Sequence, residues 1–307
     1  MTPGAVVTHE DCLLHRMQEG HPERPERLAH VLAHLEASGL GGDLARLTPQ
    51  PASLDVLAGI HGREYLELLQ RHAPSEGLVR VDPDTAMGTG SLRAAALAAG
   101  AVMDATRAVL AGELRWAFCA VRPPGHHAEE SAAMGFCFYN NVALGAHVAL
   151  AEDLVGRVAI LDFDVHHGNG TIDIFKDRPE VLVCSSFLHP IYPNRLFDIE
   201  RPNIVNTPLQ AGTDGTGFRR AVERDWLPAV DAHKPELIFV SAGFDAHMAD
   251  PLGGLLLDEE DFRWVTTLIV DAAKRHTGGR VVSTLEGGYD LNALAHSVEA
   301  HLRALLD

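Results

Sequence analysis

The chain alternates short, nearly continuous apolar runs with longer stretches whose apolar positions recur at helical spacing. The runs at 6–7, 117–121, 158–163, 181–187, 203–205, 237–241 and 281–285 are rich in β-branched residues. They predict strands buried on both faces. The intervening segments 28–38, 90–110, 141–154, 214–232, 258–275 and 291–306 predict helices, with Asp214 or Thr216 and Asp258 as N-caps. This alternation places the chain in the α/β class, with one central, mostly parallel sheet flanked by helices on both faces. No repeat, low-complexity tract or long linker interrupts the pattern, so residues 1–307 are expected to form a single domain. The Pro- and Arg-rich segment 21–27 reads as an ordered loop leading into the helix at 28–38.

Polar groups interrupt this pattern at the ends of the predicted strands. In open parallel sheets, ligands bind beyond the carboxyl ends of the strands. After 117–121 comes Arg122-Pro123-Pro124-Gly125-His126-His127, and after 158–163 comes Asp164-Val165-His166. Gly243-Phe244-Asp245 follows 237–241, and Glu286-Gly287-Gly288-Tyr289 follows 281–285. Side chains at i and i+2 of a strand share a face, so Asp164 and His166 are expected to project together, with Asp162 one step deeper. A polar turn closed by Gly168 and Gly170 is the plainer reading of that segment. Charged groups at the end of an apolar strand are costly to bury without partners, which favours a site.

Asp164, His166 and Asp245 make a plausible ligand set for one divalent ion. Zinc accepts both donor types, and a catalytic zinc has three protein ligands and an open position. Fe(2+) or Co(2+) also suits such oxygen-rich ligation. Taken alone, Asp245 reads equally well as a cap after a strand. Two carboxylates neutralise the ion and weaken it as a Lewis acid, so neighbouring groups must help. Metal-assisted hydrolysis needs a base for the attacking water and an acid for the leaving amine. His126 and His127 can divide those roles if Asp162 orients one ring as a carboxylate and Asn169 the other as a neutral acceptor. Tyr289, after two glycines, can donate a hydrogen bond to a developing oxyanion. Gly135, Phe136 and Tyr192 can wall a channel for an aliphatic side chain. Each also has a plainer reading: surface loop histidines, a turn tyrosine and ordinary core aromatics.

The net charge of −17 argues against direct binding to nucleic acid or an anionic membrane and favours basic peptides or polyamines. The four cysteines form no C-x-x-C pair, no secretory signal opens the chain, and no apolar stretch approaches the roughly 20 residues of a membrane span. A cytoplasmic location with reduced thiols is expected. Self-association, as a homo-oligomer, is left open because exposed loops decide it.

The motifs R-P-P-G-H-H, G-F-C-F-Y-N-N, D-F-D-V-H-H-G-N-G-T, S-A-G-F-D-A-H and L-E-G-G-Y occur in this order. Together they resemble the zinc-dependent histone deacetylase family over nearly the whole chain from His21. Asn169 and the D-P-D-T segment at 82–85 make the chain most similar to the class II branch and its bacterial amidohydrolase relatives. The resemblance implies the arginase/deacetylase fold and hydrolysis of an N-acyl amine, typically acetyl-lysine in a peptide or protein. It implies zinc on Asp164, His166 and Asp245, a tandem acid–base pair at His126 and His127 with His127 the base and proton donor, and Tyr289 on the acyl carbonyl. Gly135, Phe136 and Tyr192 would line the acyl-lysine tunnel, Arg27 would border an inner acetate channel, and Asp84 would contact the substrate backbone. A structural potassium ion, K(+), is implied near Asp162, Asp164, His166, Ser186 and Phe187.

Three alternatives compete. Two-manganese ureohydrolases of the same fold need further carboxylates where this chain has Gly168 and His247. Acetylpolyamine hydrolases carry a gatekeeper glutamate after the third metal ligand, where this chain has Leu252. A non-catalytic acyl-lysine binder would lack a ligand, the His pair or the Tyr, and none is missing.

Overall fold

A computed structural model describes residues 4–307. The strands are β1 (Gly4–Val7), β2 (Ala45–Leu47), β3 (Leu78–Arg80), β4 (Ala86–Gly88), β5 (Trp116–Cys119), β6 (Val158–Asp162), β7 (Val181–Leu188), β8 (Ile204–Leu209), β9 (Leu237–Ala242) and β10 (Val281–Leu285). The helices are α1 (Glu26–Ala37), α2 (Leu40–Asp43), α3 (Leu54–Leu57), α4 (Arg63–His72), α5 (Ser91–Leu110), α6 (Asn141–Ala151), α7 (Asn169–Phe175), α8 (Gly215–His233), α9 (Glu259–His276) and α10 (Leu291–Leu306). Eight strands form one sheet in the order β2-β1-β5-β10-β9-β6-β7-β8, every pair parallel. The short antiparallel pair β3-β4 stands apart from it.

The central strands carry almost no polar side chains because helices cover both faces. All residues of β5, β6, β9 and β10 are buried. Helix α5 packs on α6 and α6 on α7, while α1, α10, α9 and α8 pack in succession as a second layer. Asp214 caps α8 by accepting the Gly217 N–H at 2.9 Å, so it rather than Thr216 starts that helix. Asp258 forms a reciprocal capping box with Asp261 at the start of α9.

Strand β8 runs to Leu209, well past the expected 203–205. It is the sheet edge, where Pro208 lacks a donor that the ladder does not need. All four cysteines are buried and unpaired. Among the described residues, no helix is long and apolar enough to cross a membrane.

Candidate active site

Four adjacent central strands, β5, β10, β9 and β6, run parallel and end on the same side. The segments that follow them therefore converge, and they carry His126 and His127, Tyr289, Asp245, and Asp164 with His166. The route differs from the expected one at a single point. Strand β6 ends at Asp162, so strand parity does not align Asp164 with His166. The chain bends beyond the strand, and Asp164 Oδ1 accepts the His166 N–H at 2.8 Å. That turn brings the two side chains together.

One donor atom from each of Asp164, His166 and Asp245 lies within 4.8 Å of the other two. His166 Nδ1 is 3.1 Å from a carboxylate oxygen of both aspartates. Tetrahedral ligands about 2.0 Å from an ion sit ~3.3 Å apart, so the donor set fits one divalent cation. The remaining oxygens are anchored: Asp245 Oδ1 accepts the Val165 N–H at 2.8 Å, and Asp164 Oδ2 accepts the Gly287 N–H at 2.8 Å. A Cβ on Gly287 would stand 2.1 Å from Asp245 Oδ2 and 2.6 Å from Asp164 Oδ2, so only glycine fits against this cluster.

Burial opposes charge on all three groups, and their mutual attraction decides the outcome. His166 is driven down by burial, yet hydrogen bonds that it donates to Asp164 and Asp245, with their charges, raise it to about 10. Burial also opposes ionisation of Asp164, but the neighbouring imidazoles hold its carboxyl below the usual carboxylate range. Burial and the Asp164 charge push Asp245 up to about 7.

The two rings of the doublet lie 4.0 Å apart between centroids. Asp162 Oδ2 is 2.9 Å from His126 Nδ1, and Asn169 Oδ1 is 2.7 Å from His127 Nδ1. Burial disfavours the cationic form of both. In His126 the charges of Asp164 and Asp162 overcome burial and raise the pKa well above the usual imidazole value. In His127 burial, reinforced by the positive His126 and His166, lowers it well below. The two environments thereby pull the rings apart, His126 toward its cationic form and His127 toward its neutral form.

Tyr289 is buried, and Arg27 lies 4.8 Å above its ring. Its backbone N–H donates to Asp250 Oδ2 at 2.6 Å, while Asp250 Oδ1 accepts the Leu252 N–H at 2.9 Å. Among the described residues, no group bonds the Tyr289 hydroxyl. A cavity of about 280 Å³ joins Tyr289 to His127 and His166 and is walled by Gly135, Phe136, Ile191, Tyr192 and Leu252, with Asp84 beside them. Gly135 and Phe136 adopt positive φ values of 56° and 69°. A Cβ on Gly135 would press within 2.3 Å of the His127 ring, which explains the glycine there. Burial and the neighbouring Asp82 raise the Asp84 carboxyl to about 6.

Ser186 and Phe187 lie on β7 behind this centre. The Ser186 hydroxyl reaches the Asp162 carbonyl oxygen at 3.5 Å, and Phe187 packs edge-on to His167. Arg27 is buried and donates to the carbonyl oxygens of Glu286, at 2.6 Å, and Gly288.

Several further residues support the centre from behind. Glu286 Oε2 accepts the Gly125 and His126 N–H groups at 2.7 and 3.2 Å, and Oε1 accepts the Ser241 hydroxyl at 3.2 Å. Its signal is a carboxylate directly after a fully buried strand. Burial raises it to about 7. Glu23, fully buried, takes bonds of 2.5 and 2.6 Å from Arg122 and one of 3.2 Å from Arg27. Asp250 reaches Tyr289 through a backbone donor 39 residues away, which no local pattern marks.

A model of the histone deacetylase domain matches residues 21–305. The histone deacetylase-like amidohydrolase of Pseudomonas aeruginosa is 40% identical over 277 residues, covering 88% of this chain and 73% of that protein. The polyamine deacetylase HDAC10 of Mus musculus is 37% identical over 329 residues, covering 98% of this chain and 48% of the relative. A crystal structure of the HDA15 HD domain superposes with a TM-score of 0.94 at 33% identity, covering 99% of this chain and 88% of the other.

Proposed function

The chain belongs to the histone deacetylase family, and on that premise we propose that it hydrolyses the amide of N-acyl-lysine in peptides or proteins, with zinc held by Asp164, His166 and Asp245. Residues 1–307 act as one catalytic unit in this reading. What supports it is a single juxtaposition: His166 of the three-donor cluster, His127 of the His pair and Tyr289, whose hydroxyl is unbonded, all border one narrow cavity. When bound, the ion would act as a Lewis acid on the acyl carbonyl and make water a better nucleophile at neutral pH.

The chain's own residues do the rest. His127, neutral at working pH, takes a proton from the attacking water at Nε2, because its Nδ1 is committed to Asn169. It then returns that proton to the leaving lysine nitrogen. His126, cationic and paired with Asp162, holds positive charge beside the negative charge that develops on the acyl carbon's oxygen. Tyr289 donates its hydroxyl proton in a hydrogen bond to the same oxygen. Phe136 and Tyr192 exclude water around the lysine methylenes, and Asp84, which lines the cavity, accepts a substrate backbone N–H in this reading. Asp162, Ser186 and Phe187, with Asp164 and His166, belong to a candidate potassium site behind the centre.

Acetylpolyamine hydrolysis is the second reading, favoured by the paired carboxylates Asp82 and Asp84 near the mouth and by the similarity to a polyamine deacetylase. Leu252 in the wall disfavours it, since a polyamine's second ammonium would face an aliphatic side chain. The test is a comparison of kcat/KM on acetyl-lysine peptides, longer acyl-lysines and acetylpolyamines. Acetyl- or acyl-lysine peptides are expected to lead, with activity lost to a chelator or hydroxamate and regained with Zn(2+). A preference for acetylpolyamines moves the assignment to the second reading. No hydrolysis of any of the three by the zinc-loaded protein overturns both.

A further inference from the structure

Asn169 touches His127 through an amide that has two possible orientations, and only one serves a base. With Oδ1 toward His127 Nδ1, the ring carries its proton on Nδ1 and keeps the Nε2 lone pair free. With the amide turned, the NH2 group would face Nδ1 and stabilise the opposite tautomer, whose Nε2 bears the proton. Something must fix the amide, because an amide lacks the built-in bias of a carboxylate.

The other side of Asn169 supplies the answer. Its Nδ2 faces Glu129 Oε1 at 2.7 Å, Met134 Sδ at 3.3 Å and the His127 carbonyl oxygen at 3.4 Å. All three accept and none donates. Glu129 gives the shortest contact and the only charged one. It is buried, 6% exposed, and its second oxygen lies 3.0 Å from Arg195 Nη2. A carboxylate paired with a guanidinium accepts only. Turning the Asn169 amide would set Oδ1 against that carboxylate, two acceptors at hydrogen-bond distance.

The backbone of Glu129 is independently fixed. Its N–H donates to the Ala132 carbonyl oxygen at 3.0 Å, and its own carbonyl oxygen is 2.9 Å from His61 Nδ1. The side chain is therefore free to have a role other than holding the loop. Arg195 sits three residues from Tyr192, in the segment that forms the cavity lip.

We infer that Glu129 is a positioning residue for the hydrolysis, orienting the Asn169 amide and thereby the proton on His127, with Arg195 holding the carboxylate from the cavity lip. The inference rests on the deacylase reading of the same site. It explains how a neutral amide can stand behind a catalytic imidazole: a buried carboxylate one bond further back gives the amide its direction.

A double-mutant cycle tests it through a change of sign. Glu129→Ala is expected to lower kcat about tenfold with KM within about twofold, and Glu129→Gln, which can still accept from Asn169, to restore most of the loss. In an Asn169→Asp background there is no amide to orient, and Glu129 becomes a like charge beside the introduced carboxylate. There Glu129→Ala is expected to raise kcat rather than lower it. A fall of similar size in both backgrounds, or no fall in the native background, overturns the inference. Should the alanine forms fail to fold, Glu129→Gln reads the same inversion: little change beside Asn169 and a gain in the Asn169→Asp background. Equal losses from Glu129→Gln in both backgrounds overturn it as well.

A readout independent of turnover separates this inference from the functional reading. In 15N-histidine-labelled, metal-free protein, His127 is expected to show a protonated Nδ1 and a bare Nε2, and Glu129→Ala to give a mixture of tautomers. An unchanged tautomer in Glu129→Ala sinks the inference even if the enzyme is active. The expected mixture in a protein without deacylase activity sinks only the functional reading.

Discussion

Tyr289 reaches the site with two restraints that leave its hydroxyl free. Arg27 covers one face of the ring, and Asp250 holds the backbone N–H at 2.6 Å. A group placed this way contributes little to ground-state binding and most when charge develops beside it. Tyr289→Phe should therefore lower kcat by about 10²-fold or more while KM changes by less than about twofold. Steady-state kinetics on an acetyl-lysine peptide checks this, and an intact kcat would remove the oxyanion role. The charged and imidazole groups of the centre were legible in the sequence because each interrupts an apolar pattern. Asp164, His166, Asp245 and the His doublet all sit where a strand has just ended, and burying such groups has a cost that only partners or a ligand offset. Asp250 and Glu129 were not legible. Their partners are a backbone N–H 39 residues away and an amide 40 residues away, and neither separation leaves a periodic trace.

At the scale of elements, the clearest packing device is a buried histidine shared by a strand and two helices. His301 on α10 lies between Thr266 of α9, 2.7 Å from Nδ1, and Ser283 of β10, 2.9 Å from Nε2. The Thr266 hydroxyl already donates to the Phe262 carbonyl oxygen at 2.7 Å, so it accepts from Nδ1, and Ser283 donates to Nε2. The neutral ring is fully satisfied, and burial lowers its pKa to about 3. In the unfolded chain the same ring binds a proton below about pH 6.5. Between those values the unfolded state holds more protons, so stability falls as pH falls from about 6.5 toward 3. This one group should contribute a slope approaching about 1.4 kcal/mol per pH unit. Urea unfolding at a series of pH values should find that slope reduced by this amount in His301→Gln, whatever the change in stability at neutral pH. An equal slope in both proteins would show that the ring already titrates normally. The long elements were readable because their periods are unambiguous. Strands β2, β3 and β4 have three residues each, and α4 shows only Tyr65, Leu66 and Leu69 as a buried stripe in an otherwise polar segment. Such pieces are set by what they pack against, which their own composition does not state.

The whole molecule concentrates negative charge in two ways, and each has a measurable consequence. Inside, two aspartates are buried on a single imidazole at the ends of neighbouring strands. A cation that binds them only in the folded chain stabilises it by mass action, about 4 kcal/mol at a free concentration 1,000 times Kd. Stripping the bound divalent ion with a chelator should therefore lower Tm in scanning calorimetry, and Asp245→Asn should abolish most of the difference between the metal-loaded and stripped protein. Over the whole chain the formal net charge is −17, and Asp82 and Asp84 lie near the cavity mouth. A cationic substrate approaching this surface gains from the summed field, whereas a neutral one does not. The field is screened beyond about 10 Å at 0.1 M salt and beyond about 3 Å at 1 M. For acetyl-lysine peptides flanked by arginines, kcat/KM should fall steadily as salt rises from 0.02 to about 0.5 M, with kcat nearly constant. For the same peptides with glutamine flanks, kcat/KM should stay flat. The two series are expected to converge at high salt, because what remains there is the fit of one acyl-lysine side chain in a cavity that does not sense its neighbours. Parallel salt curves for both flanking sequences would mean that the surface charge serves solubility alone, and selection among natural substrates would then fall to the shape of the mouth.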